Sequence, residues 1–166
     1  MRLSTKGRYA VMAMVDLAAH SSGKPVTLAE IAERQTISLS YLEQLFGKLR
    51  KAGHVRSVRG PGGGYLLADA ADRMRVADII LAVDEPIRAT RCKAGTQQSC
   101  MGKRGRCLTH DLWEELGSQI YLFLSAISLK DVVDRRVLGT SRLLLRDADL
   151  AGWRREPGSG SERDVA

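Results

Sequence analysis

Cysteine is absent from most of this chain: the total is three, all between residues 92 and 107. An odd, clustered set does not make a disulfide-stapled miniprotein, and 166 residues are enough to bury a core without such staples. Long apolar runs are missing too. The opening MRLSTKGRYAVMAMVDLAAH places Arg2, Lys6 and Arg8 ahead of an apolar stretch, as a secretory leader does, but the stretch is short and Asp16 interrupts it. It reads better as an amphipathic helix built on Tyr9, Met12, Val15 and Ala19. No membrane partner is expected, and the expected localisation is the reducing cytoplasm. The glycine-rich run Gly60-Pro61-Gly62-Gly63-Gly64 is followed by neither Gly-Lys-Ser/Thr nor a helix start, which argues against a phosphate-cradling nucleotide loop. The cysteines have no accompanying base-and-orienter pattern, so covalent catalysis and enzyme function are not expected.

Acidic charge is also in deficit. Lys and Arg number 26 against 19 Asp and Glu, a net charge of +7 and a pI near 9.7. The excess is clustered: Arg2, Lys6 and Arg8 open the chain, Lys48, Arg50, Lys51, Arg56 and Arg59 follow closely together, and a third group surrounds the cysteines. This distribution suits a polyanionic partner better than a merely basic surface does.

Local signals between residues 27 and 53 describe a helix-turn-helix. Thr27-Leu28-Ala29-Glu30 is a capping box for a helix through about Arg34, Gln35 to Ser38 make a tight turn, and a helix from about Leu39 to Ala52 is closed by Gly53. Ile31, Ala32, Ile37, Leu42 and Leu45 take the positions where two crossed helices bury apolar groups, leaving Ser40, Tyr41, Glu43, Gln44, Lys48 and Lys51 outward. His54 to Arg59 alternate like a strand, the glycine run turns the chain, and Tyr65 to Ala68 return it as a β-hairpin wing.

Such a helix reads DNA in the major groove while neighbouring cations neutralise phosphates. Gln44 has the geometry to pair with adenine, Glu43 to accept from cytosine, and Ser40 to bond a base or a phosphate. Glu43 has a duller alternative, as it lies three residues after Ser40 and could complete a second capping box. Tyr41 suits a backbone phosphate, and Arg59, beside Gly60 at the wing tip, suits a narrow minor groove. Arg50 has the alternative of a structural ion pair.

Beyond the wing, Val76, Ile79, Ile80 and Val83 line one face of a short helix. From His110, Leu112, Leu116, Ile120, Phe123, Leu124 and Ile127 recur at helical spacing over about eighteen residues. Trp113, Tyr121 and Leu122 widen that apolar surface, which leads to an expected homodimer built on this helix. The fold class expected is mainly α: a winged helix-turn-helix domain (1–84) with a β-hairpin wing, a ligand loop (85–110) and a long dimerisation helix region (111–135). A tail (136–166) completes the chain, disordered at least from 154.

The cysteines form Cys92-x7-Cys100-x6-Cys107-x2-His110, with Gly95, Gly102 and Gly105 between them. Thiolates with one imidazole suit an iron-sulfur cluster, zinc or Cu(I), and donor chemistry alone leaves the metal open. Structural zinc favours tighter Cys-x2-4-Cys knuckles than these first two gaps. A zinc-stabilised interaction module and an iron-sulfur electron carrier are the readings from other functional classes.

Taken together, MRLSTKGRYAV, ISLSYLEQLFGKLRKAG, VRSVRGPGGGYLLA, Ala89-Thr90-Arg91-Cys92 and Cys107-Leu108-Thr109-His110 resemble the iron-sulfur-sensing regulators of the Rrf-type winged-helix family, over residues 1 to about 130. The resemblance implies a homodimer with one 2Fe-2S cluster per subunit on Cys92, Cys100, Cys107 and His110. It further implies binding of double-stranded operator DNA, mainly repression of cluster-biogenesis genes, and the iron-sulfur assembly machinery as cluster source. Ser40, Glu43, Gln44 and Arg59 match base-reading positions and Tyr41 a phosphate position. The family's usual spacing is Cys-x5-Cys-x5-Cys-x2-His; the longer gaps here bear most on Cys100, although added loop length costs little closure entropy. Nitric-oxide- and iron-responsive relatives with other clusters share the pattern of three cysteines, and His110 favours the Cys3His branch.

Overall fold

The computed structural model of the chain describes residues 4–87, 89 and 107–137. Arg2, Cys92, Cys100 and the tail beyond 137 lie outside the described residues.

Helix α1 is Thr5–His20, started by Ser4, whose hydroxyl accepts from the Gly7 amide at 3.4 Å. Its buried side differs from the one expected. Ala10, Ala13, Met14 and Leu17 are fully buried, whereas Tyr9, Met12 and Val15 are half-buried at the core's edge and Ala19 is exposed. Alanine, methionine and valine surround this helix, so its periodicity is weak and the packing partners decide which stripe turns inward.

Helix α2, Leu28–Gln35, has the expected capping box: the Thr27 hydroxyl accepts from the Glu30 amide at 3.2 Å, and the Glu30 carboxylate accepts from the Thr27 amide at 2.7 Å. Thr36, in the left-handed region at φ 54°, ends it and starts the turn. Helix α3, Leu39–Lys51, buries Leu42, Leu45, Phe46 and Leu49 completely or nearly so. Ile31 and Ile37 join them, so the crossed-helix core is that expected, with Ala32 at its margin. Burial of each large aliphatic side chain contributes roughly 1.5–3 kcal/mol.

An ion pair with a buried carboxylate joins α1 to α2. The Asp16 carboxylate, with no exposed side-chain surface, accepts from Arg34 Nε at 3.1 Å, Arg34 Nη2 at 2.7 Å and Gln35 Nε2 at 2.7 Å. Burial is the largest single influence on its acidity and pushes the pKa up. The hydrogen bonds from Arg34 and Gln35 and the charges of Arg34 and His20 together outweigh it, so the carboxyl is held below its ordinary range.

The wing consists of β1, Val55–Val58, and β2, Gly64–Leu67, antiparallel with Val55 opposite Leu67 and Val58 opposite Gly64. Gly60, at φ 104°, makes the turn that other residues resist. A side chain at Gly64 would collide with the Val26 carbonyl, because Tyr65 and Val26 exchange two backbone hydrogen bonds at 2.8 and 3.0 Å. The Tyr65 ring meets Phe46 edge-on, centroids 4.9 Å apart, which seats the wing against α3.

Helix α4, Val76–Ala82, buries Val76, Ile79 and Ile80, with Val83 after it, as their spacing requires. Helix α5, His110–Ala126, then ends where Ile127 turns extended (φ −90°, ψ 126°), so Ile127 does not continue the helical stripe as expected. Its side chain instead packs with Val76 and Ile80, and its carbonyl accepts from the Val76 amide at 3.0 Å. Ser128 and Asp131 form a second capping box that starts α6, Leu129–Val133. Fully buried Leu129 belongs to the same core as α1 and α3, so the chain after α5 returns to the reader.

Candidate nucleic-acid interface and ligand segment

Helix α3 starts with Ser38 at its N-cap, which makes Ser40 its second residue. The alternative capping box of Ser40 and Glu43 therefore does not form. Ser40, Glu43 and Gln44 are all exposed on the amino-terminal half of the helix, where major-groove readers carry their base-contacting groups. Tyr41 stands apart: it is half-buried, and its ring meets Tyr9 of α1 edge-on with centroids 6.0 Å apart. Its aromatic body thus braces α3 against α1.

Cations flank this face. Lys48, Arg50 and Lys51 occupy the last turn of α3, where the helix dipole favours positive charge. Arg50 is exposed and has no ion pair among the described residues. Lys48 does have one: its Nζ lies 2.7 Å from Asp84 Oδ2, just past α4. The Asp84 hydrogen bond holds the Lys48 ammonium above its ordinary value, and Lys48 in turn holds the Asp84 carboxyl below its own. Lys6 of α1 stands beside Lys48, which lowers its pKa. Lys6, Lys48 and Asp84 thus form one cluster joining α1, α3 and the end of α4. Arg59 and Gly60 are exposed at the wing tip, and Arg59 has no ion pair among the described residues.

Two of the four expected metal ligands, Cys107 and His110, fall within the described residues, three residues apart at the start of α5. Cys107 immediately precedes α5 and is half-buried, with its Sγ 3.6 Å from the Thr109 hydroxyl. His110 opens the helix, its amide donating to the Cys107 carbonyl at 3.0 Å. A thiol and an imidazole on one turn suit an iron-sulfur or other soft-metal centre. His110 is 4% exposed, and its Nε2 lies 3.0 Å from Glu114 Oε2. Donor atoms of His110, Asp111 and Glu114 all lie within 4.8 Å of one another. Asp111 and Glu114 were not singled out from sequence; the i, i+4 spacing of His110 and Glu114 on a predicted helix was the available signal.

Helix α5 is otherwise thinly covered. His110 is the one buried residue of its 17, while Leu112 (62% exposed), Trp113 (41%) and Phe123 (44%) line an open apolar stripe.

An exposed reading helix, a basic flank and a wing seated on the same core define a winged helix-turn-helix transcription regulator. The chain belongs to the Rrf2 family, whose model, described as an iron-dependent transcriptional regulator, matches residues 3–135. The HTH-type transcriptional regulator IscR of Photorhabdus laumondii is 58% identical over 136 residues, 82% of this chain and 81% of that relative. Among solved structures, T. potens IscR is 36% identical with a TM-score of 0.65, the match covering 91% of this chain and 96% of that one. CymR, the global cysteine regulator of B. subtilis, is 31% identical with a TM-score of 0.67, over 81% of this chain and 98% of that one. This chain is accordingly a DNA-binding transcriptional regulator and not an enzyme. Among the described residues no helix is long and apolar enough to cross a membrane.

Proposed function

We propose that the chain acts in the cytoplasm as a homodimeric repressor of iron-sulfur cluster-biogenesis genes, controlled by one 2Fe-2S cluster per subunit. The ligands are Cys92, Cys100, Cys107 and His110, and the assembly machinery supplies the cluster. The observation that carries this reading is the turn that ties Cys107 to His110, whose amide donates to the Cys107 carbonyl at the start of α5, in a chain whose other half is a DNA reader. When bound, the cluster supplies a removable crosslink whose presence reports iron-sulfur supply.

The chain's own residues provide the rest. Ser40, Glu43 and Gln44 read base edges, Arg59 and Gly60 approach the minor groove, and Arg2, Lys6, Tyr41, Lys48, Arg50 and Lys51 hold phosphates. Segment 85–106 runs from Asp84 to α5, and Asp84 pairs with Lys48 on the reading helix. Cluster binding by ligands that follow Asp84 in the chain biases where Asp84 sits, and so whether Lys48 is available to phosphate. The apolar stripe of Leu112, Trp113 and Phe123 supports α5 as the dimer contact, since another helix of the same kind would cover it.

Anaerobic reconstitution followed by binding to promoter duplexes tests the control. Wild type is expected to bind assembly-gene promoters more tightly with cluster than without, and Cys92→Ala to show no such difference. Equal affinities for both proteins at every promoter would remove the cluster from control. Visible and Mössbauer spectra of protein isolated without oxygen identify the centre, a larger cluster or zinc each replacing the 2Fe-2S assignment.

A further inference from the structure

His110 is bound to a particular carboxylate, and the arrangement is not explained by helix stability. The ring is buried and its Nε2 lies 3.0 Å from Glu114 Oε2 one turn along α5. In helical pairs the favourable order is acid first and base four residues later; here the histidine comes first, in the turn where the helix dipole opposes positive charge. The contact does orient the ring. A neutral ring that donates Nε2–H to this carboxylate carries its lone pair on Nδ1. Carboxylates placed behind metal-bound imidazoles act in this way, and they also raise the donor strength of the ring.

We propose that Glu114 is a positioning residue for His110: it accepts the Nε2–H bond, makes Nδ1 the nitrogen offered to cluster iron, and lowers the cluster's reduction potential. This rests on the reading of His110 as a ligand. Asp111, whose carboxylate belongs to the same group of donor atoms, adds negative charge on the same side. Carboxylates close to the centre favour its oxidised form, because reduction adds an electron to an already anionic surrounding.

The test uses the full chain, reconstituted anaerobically as wild type, Glu114→Gln, Glu114→Ala and His110→Ala, with histidine labelled by 15N at Nδ1 or at Nε2. Hyperfine spectra of the reduced cluster should show direct coupling to Nδ1 in wild type. Glu114→Ala should shorten cluster retention about 10–100-fold and raise the midpoint potential. Glu114→Gln, whose amide oxygen still accepts from Nε2–H, should keep nitrogen coupling and retention yet raise the potential, a separation that a merely structural contact would not produce. Wild-type potential and retention in both Glu114 variants, while His110→Ala loses nitrogen coupling, overturns the positioning role and leaves the ligand reading standing; so does direct coupling to Nε2. Unchanged nitrogen coupling in His110→Ala overturns the ligand reading itself. Glu114 is partly exposed, and thermal unfolding of the cluster-free variants is expected to match wild type; if Glu114→Ala does not, Glu114→Gln alone decides through the potential.

Discussion

Helices α3 and α5 carry comparable apolar content and use it in opposite ways. Helix α3 buries Leu42, Leu45, Phe46 and Leu49 within its own chain and leaves a mostly polar and charged face for DNA, with Leu39 exposed at its start. Helix α5 buries His110 and leaves Leu112, Trp113 and Phe123 uncovered. The first is a finished element whose outer face is free for recognition. The second is the face proposed as a dimer contact, and its first residue, His110, is one of the proposed metal ligands. The two helices therefore differ in role: recognition rests on a rigid core, whereas the sensing proposed for α5 falls where the chain's own packing is incomplete and responsive to added contacts.

Substitutions that treat the two helices differently sharpen this contrast. Phe46→Ala should cost about 3–5 kcal/mol, because it opens a cavity between α3 and the wing. A large fall in the melting temperature with loss of DNA binding is expected, and an unaltered melt would mean that α3 is not anchored as described. Phe123→Glu should leave the fold of each subunit intact but weaken self-association by about 2 kcal/mol or more, roughly 30-fold. Sedimentation should then show monomer where wild type shows dimer; a dimer of unchanged strength would break the comparison.

Arg34→Ala tests the buried anchor under the reader and should cost about 1–3 kcal/mol by leaving Asp16 without its main partner. Asp16 has a depressed folded pKa, so its stabilisation is complete above the unfolded carboxylate value and is lost as pH falls through the folded value. With Arg34 gone, burial dominates and raises that pKa, so acid unfolding should begin at higher pH than in wild type, as pH-jump fluorescence would show. The smallest effect expected is that of Lys48→Ala. It should leave the melt unchanged, since its ion pair is exposed, and reduce the slope of log affinity against log salt by about one. An unchanged slope would move Lys48 out of the DNA interface.

The reader was legible because its signals are local. The Thr27 and Glu30 box, the turn at Thr36 and the Gly53 stop each act within a few residues and specify the helices without distant partners. Cys107 and His110 stand out by residue type and spacing, and the helix from His110 to Ala126 was legible from its period. Helix α6 was missed because Ile127 keeps the helical period while the backbone has already turned extended. Glu114 was missed because carboxylates on a helix are common, and only the observed contact singles out this one.

The helix-turn-helix, the glycine turn of the wing and the donor types of Cys107 and His110 are written locally, since caps, φ preferences and donor chemistry reside in single residues and near neighbours. Tertiary structure alone decided which stripe of α1 turns inward, the return of Leu129 to the reader core, the pairing of Lys48 with Asp84, and the uncovered face of α5. Each of these depends on groups far apart in the chain, and their contact energies exist only once the chain has closed around them.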